Sequence, residues 1–181
     1  LDASGLLREE ASFTREEYGG GLGMRKTFRP IATDLSARYS YQILNAIKTD
    51  SSFATEGVTN ARVGAITIEL THDRRDNPLY PRSGYKLAST FEVASEALAG
   101  NVNYQRVQLA GSYHQPLTPG LVLRLAMSYG ADFSDGDPAE NLPFNKRFFP
   151  GGENSIRGYQ EGKASPRNAE GKFIGAETYV L

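Results

Sequence analysis

The sequence predicts an all-β chain: about seven to eight antiparallel strands of a transmembrane β-barrel, with one long loop. Three observations carry this reading. Apolar and polar residues alternate at period two over runs near the ~9–11 residues that a tilted membrane strand needs. The connections switch between compact proline-bearing turns and longer loops, which is the asymmetry of an outer-membrane barrel. No apolar run approaches the ~20 residues of a membrane helix, since the best one, "LVLRLAMSYG" at 121–130, is interrupted by Arg124.

The elements follow in order. Residues 8–14 form a possible first strand and 22–28 a weak second one. "LSARYSYQI" sets Leu35, Ala37, Tyr39, Tyr41 and Ile43 against Ser36, Arg38, Ser40 and Gln42. Residues 63–72 are again weakly patterned. "GYKLASTFEVA" sets Tyr85, Leu87, Ser89, Phe91 and Val93 against Lys86, Ala88, Thr90 and Glu92; residues 103–114 set Val107, Leu109 and Tyr113 against Arg106, Gln108 and Ser112. At 121–129 the alternation is Leu121, Leu123, Leu125, Met127 and Tyr129 against Val122, Arg124, Ala126 and Ser128. Residues 173–181 form a weak last strand. In a barrel, Leu35, Tyr39, Tyr41, Leu87, Phe91, Leu109, Leu123 and Leu125 should meet lipid, and Arg38, Glu92, Arg106 and Arg124 should meet the lumen.

Compact connections are expected at 29–34, 73–84 and 115–120. Each contains proline, which suits a turn and cannot continue a ladder. The alternate connections, 45–62, 95–102 and 130–172, are longer in two of three cases. A soluble β-sandwich shares the count of alternating strands and is the alternative reading.

Composition restricts function more than it assigns it. The 181 residues are 39% apolar and 23% charged, with a formal charge of −1, which gives no reason to expect a nucleic-acid partner. That polar average is compatible with a barrel, whose faces differ. There is no cysteine, so disulfides and thiolate metal sites are excluded. His72 and His114 stand far apart at strand ends and read as solvated histidines rather than a metal site. "HDRRDNP" pairs Asp73 and Asp76 with two arginines. Its turn position favours a charge-locked turn over an acid–base pair. "GGGLG" at 19–23 lacks a phosphate loop's strand–helix context, and no Ser–His–Asp set can be assembled. No enzyme and no cofactor is expected.

Two motifs remain, and they carry a resemblance. "RFFPGGENSIRGY" at 147–159 combines the aromatic pair Phe148 and Phe149 with Gly151, Gly152, Ile156, Arg157, Gly158 and Tyr159. It resembles the lumenal-loop motif of the BamA/TamA outer-membrane assembly superfamily, the bacterial surface antigens. "DRRDNPLYPRSGY" supplies Asp73, Arg75, Asp76, Asn77, Pro78, Pro81 and Gly84, and resembles the same family's periplasmic turn. The order and separation of the two motifs also fit, over residues 22–181. The aromatic pair and serine context lean toward TamA-like members.

The resemblance implies a barrel domain over 1–181 whose loop 130–172 folds back into the lumen. Phe148, Phe149 and Tyr159 would then pack on the lumen wall, and Arg157 would sit partly dry, needing a carboxylate or several carbonyls. The family pairs this arginine with an acid on a strand after the loop, expected here beyond Leu181, with Glu177 a lesser in-chain candidate. Because family barrels have about sixteen strands, the chain reads as an internal fragment. The implied location is a bacterial outer membrane or an organelle's outer envelope. The implied partners are outer-membrane lipid, client β-barrel or secreted proteins, and periplasmic accessory proteins. The implied role is assembly or translocation of other outer-membrane proteins, through a weakly closed seam that templates incoming strands. A two-partner secretion transporter or passive pore would share the fold.

Overall fold

A computed structural model describes residues 2–9, 13–49, 60–134, 142–153 and 155–181; for 2–9, 13–16, 46–49 and 145 it describes backbone alone. The strands are β1 (Asp2–Glu9), β2 (Phe13–Phe28), β3 (Thr33–Thr49), β4 (Asn60–Asp73), β5 (Gly84–Ala94), β6 (Tyr104–Thr118), β7 (Leu121–Ser134) and β8 (Thr178–Val180). They form one sheet in sequence order, β1 to β8, every pair antiparallel. Such a meander follows from period-two sequences joined by short turns, because consecutive antiparallel strands need no crossover.

The alternation fixes two unlike faces. On the outer face, Leu35 stands opposite Leu70, Ile68 opposite Phe91, Phe91 opposite Val107, Leu109 opposite Tyr129 and Tyr113 opposite Leu125. Leu35, Leu87, Phe91, Leu109, Leu123 and Leu125 are each 38–57% exposed. A contiguous exposed apolar sheet face is costly in water and neutral in hydrocarbon, as a membrane wall requires. The inner face carries Ser36, Arg38, Gln42, Glu69, Glu92 and Gln108 around one recess, and the segment 142–177 lies over it.

Toward the long-loop end the inner face turns apolar. Leu44, Val63, Ala65, Ala94 and Tyr104 are buried there with Leu142 of the loop. Val63 and Ala65 share the inner face with Thr67 and Glu69, so one strand is dry at one end and polar at the other. Connection 95–102 instead folds over the outside of β4. Asn101 N–H donates to Arg62 O, Ser95 N–H to Gly64 O, and the Tyr39 hydroxyl to Leu98 O at 3.0 Å.

Several expectations about elements change. The connection expected at 115–120 shrinks to 119–120, because Gln115–Thr118 extend β6 and Pro116 pairs with Val122 at its end, and the loop expected from 130 begins only after β7 ends at Ser134. The strand expected at 8–14 straddles the end of β1 and the start of β2, and the weak strand at 22–28 is only the end of a 16-residue β2. The glycine run lowers the local propensity, but its backbone still pairs, Gly19 with Gln42 and Gly21 with Ser40, so the ladder continues through it. At the C-terminal end only Thr178–Val180 joins β7. Residues 173–176 are held by the loop instead, through the bridges Phe148–Ala176 and Arg167–Phe173. Of the connection expected at 45–62, residues 50–59 lie outside the described residues, as do 135–141 of the loop expected at 130–172.

Candidate functional site: a loop folded onto the inner wall

The short-turn end is built from the motif at 73–85. Asp73 accepts from Arg75 in a fork, Nε to Oδ1 at 2.9 Å and Nη2 to Oδ2 at 2.6 Å. Asp76 Oδ1 accepts backbone N–H groups of Asn77, Arg82 and Ser83 at 2.9–3.1 Å, closing the turn from inside. These donors hold the Asp76 carboxyl below the usual carboxylate range. Asn77 Oδ1 accepts from Leu79 and Tyr80 N–H, so the Pro78–Pro81 stretch is capped as an Asx turn. Gly84, at φ 96, starts β5. Arg82 Nη2 donates to Pro119 O at 2.6 Å, tying this turn to the next.

The histidines fall into different environments. His72 Nδ1 lies 2.8 Å from Thr33 Oγ1, and its Nε2 lies 3.2 Å from the Tyr85 hydroxyl. His114 is only 5% exposed, not solvated as its strand-end position suggested. The reason is that Pro78–Arg82 leans over the inner face, where His114 shares a recess with Ser112, Val122 and Arg124.

The motif at 147–159 is rooted on the inner wall. Thr67, Glu92, Arg106 and Asp132 stand on one rung across β4–β7, a consequence of strand register. Arg106 donates to both oxygens of Asp132, at 2.6 and 2.8 Å, with the Asp132 side chain 1% exposed. A forked pair of this kind satisfies both ions where water is scarce. Glu92 accepts from the Tyr104 hydroxyl at 2.5 Å and pairs with Lys146 of the loop at 3.3 Å. Lys146 also approaches Gln42 Oε1 at 3.5 Å, so one ammonium ties the loop to β3 and β5.

Phe148 then closes the contact. Its ring lies beneath the Arg106 guanidinium, 4.5 Å from centroid to carbon, and meets the Tyr179 ring edge-on at 4.7 Å. This stacking requires Gly130 in β7, where a Cβ would lie 2.3 Å from Tyr179 and 3.0 Å from Phe148. Phe149 turns the other way, packing on Phe144 and Phe173 in a second cluster. Backbone bonds Phe148 N–H to Ala176 O and Ala176 N–H to Phe148 O bind the two ends of the loop together.

The loop tip is different. Gly151 adopts φ 130 with Gln160 O where a side chain would begin, and the Ser155 hydroxyl bonds its backbone at 2.7 Å. Gly152 and Gly158 also have positive φ, and Gly152 N–H donates to Tyr159 O. Ile156 is half-buried. Tyr159 is 58% exposed, so it does not pack on the wall as expected. Arg157 is exposed too, and among the described residues it has no ion pair. Glu177 is exposed and serves through its backbone, accepting from Asp132 N–H. The turn Gly152–Tyr159 carries these side chains away from the aromatic cluster. The arginine faces a cavity of about 680 Å³ shared with Lys86, Arg124 and Glu153.

The sequence singled out the tip and missed most of the base. Lys146, Asp132 and Tyr104 carry the wall contacts. Glu92 and Arg106 were assigned to the lumen without partners. Their shared rung is the missing signal, and it depends on a register that period-two patterning leaves open.

An apolar outer face, a polar inner face and a loop packed on the latter define the wall of a transmembrane β-barrel with a lumenal loop. The Omp85 superfamily domain matches residues 6–181, and the chain belongs to that superfamily. A SAM50-like protein of Drosophila melanogaster is 31% identical over 114 residues, covering 63% of this chain and 25% of the relative. BamA from Haemophilus ducreyi, solved without POTRA domains 1–3, superposes with a TM-score of 0.68 at 17% identity, over 94% of this chain and 36% of that one. The chain thus spans about a quarter to a third of these relatives. Its membrane is an outer membrane, bacterial or organellar.

Proposed function

We propose that this chain is part of the barrel wall and lumenal plug of a factor that inserts or exports other outer-membrane proteins. The carrying observation is the loop base. Lys146 on Glu92 and Phe148 on Arg106 fold the loop onto the polar inner face, keeping the lumen occupied rather than open. Membership of the superfamily supports an assembly role over that of a simple pore. Client proteins would be templated by strand addition at a weakly closed seam where the bilayer is thinned. No cofactor and no catalysis enter this mechanism. In the complete protein, Arg157 is the group that latches the loop tip, on a carboxylate outside the described residues.

The test uses the full-length protein reconstituted in vesicles with an unfolded outer-membrane barrel as client. Client folding, read by heat-modifiable migration, should be faster than in empty vesicles. Ion conductance without faster client folding would assign the protein to the pore reading. Arg157→Ala should slow client folding and raise protease sensitivity at 151–160, with lysine restoring little because it lacks the forked geometry. Wild-type behaviour in the alanine variant would remove the tip latch.

A further inference from the structure

The outer wall is not uniformly filled. Gly111 lies in β6 between Leu87 of β5 and Met127 of β7, its neighbours across the sheet. Two depressions meet at this missing side chain. One, of about 540 Å³, is walled by Leu70, Leu87, Leu109, Met127 and Tyr129. The other, of about 340 Å³, is walled by Tyr85, Leu87, Tyr113, Leu125 and Met127. Together they make an apolar groove that passes over Gly111.

At the short-turn end of this groove two tyrosine hydroxyls have polar side-chain neighbours, whereas Tyr129 borders its other depression. The Tyr113 hydroxyl donates to Gln115 Oε1 at 2.7 Å, and the Tyr85 hydroxyl lies 3.2 Å from His72 Nε2. These four residues stand beside the compact turns 74–83 and 119–120, the periplasmic side by the usual asymmetry of such barrels. Tyrosines with wet hydroxyls mark the interfacial level of a membrane wall. The groove therefore starts at the headgroup level of the periplasm-facing leaflet and runs into the hydrocarbon.

We propose that this groove holds one acyl chain of a phospholipid of the periplasm-facing leaflet, with its headgroup at Tyr85, Tyr113, His72 and Gln115. The occupant follows from continuity: the groove is cut into the face that already contacts lipid. A chain lying over Gly111 touches Leu87 and Met127 at once, whereas on a convex part of the wall it touches one side chain at a time. Gly111 also makes the site testable, because an added Cβ would meet only Leu87 Cδ2, at 3.4 Å, and the backbone at 4.0 Å. A larger residue should thus fold normally while blocking the groove.

The experiment reconstitutes the full-length protein in phosphatidylethanolamine–phosphatidylglycerol vesicles containing a phosphatidylethanolamine with a diazirine in its acyl chain. After photolysis, adducts are mapped by mass spectrometry. Leu87 and Met127 should be labelled about threefold more than the outward-facing controls Ile68 and Phe91, because the grooved chain makes more carbon contacts. Gly111→Leu should bring them to the control level with unchanged heat-modifiable migration. Equal labelling of both sets in the wild type, or undiminished labelling in Gly111→Leu, overturns the proposal. If Gly111→Leu fails to fold, Gly111→Ala takes its place, with a partial loss of enrichment expected and none contradicting the groove.

Discussion

The base and the tip of the lumenal loop are built on opposite principles. The base, residues 142–149 with 173–177, is held by interactions that exclude water: Leu142 and Phe144 are 0% and 1% exposed, and Lys146 reaches Glu92. The tip, residues 151–160, is held by its own backbone and the Ser155 hydroxyl, and leaves Arg157 and Tyr159 exposed. A segment anchored through buried side chains resists local opening, whereas one closed only by turn hydrogen bonds opens cheaply. The loop is thus a fixed root bearing a responsive end.

The comparison breaks hardest at Asp132. Asp132→Ala leaves the Arg106 guanidinium buried without its fork, at a cost on the order of 3–5 kcal/mol. The Arg106 guanidinium that lies over Phe148 is then no longer held in place, so hydrogen exchange should become faster throughout 142–149. Protection equal to wild type would mean that the base does not depend on this pair. Phe144→Ala comes next, at about 3 kcal/mol, because Phe149 and Phe173 can close only part of the cavity. Limited proteolysis should then cut in the base while the strands stay intact.

Lys146→Met is milder. It removes a charge-assisted contact of about 1–2 kcal/mol but leaves Glu92 its Tyr104 hydroxyl. A spin label at the tip should gain mobility in this variant, and an unchanged spectrum would mean that the tip does not sense the root. Arg157→Ala should shift base protection by less than about 0.5 kcal/mol, since among the described residues none of the base bonds to its side chain. A loss comparable to that of Asp132→Ala would erase the distinction between root and tip.

The smallest effect lies outside the loop and gives a reference. Asp76 is held below its usual range by backbone N–H donors, so its contribution is complete above the unfolded carboxylate value and disappears as pH falls through the lower folded value. The amide resonances of Arg82 and Ser83 should move over that acid window. In Asp76→Asn they should stay constant, because the amide oxygen still accepts but does not titrate. Movement in the asparagine variant would trace the change to another group.

Much of the wall was legible because one physical demand, an apolar face toward lipid, is written at period two in β3, β5, β6 and β7. Strand ends were less legible. Gly19–Gly23 lowers strand propensity but remains in the ladder, while 173–176 has strand-like residues and is captured by Phe148. In the site, Phe148 and Phe149 stood out because aromatic bulk in a glycine-rich stretch calls for a surface to pack on. Asp132 did not, because residues 130–134 read as the start of the loop and only register makes the aspartate a neighbour of Arg106.

Gly130 has a consequence for divergence. A methyl group there collides with Tyr179 and Phe148, and each of those rings is useful only while the position stays bare. The three residues are therefore epistatic, and the order of substitution matters. A lineage can acquire alanine at 130 only after a ring at 148 or 179 has shrunk. Reversion then becomes difficult, because restoring the ring first meets the methyl. Two descendants of one ancestor can hold equally stable loops whose single residues are not interchangeable, and chimaeras between them should fail at this contact before they fail anywhere on the lipid face.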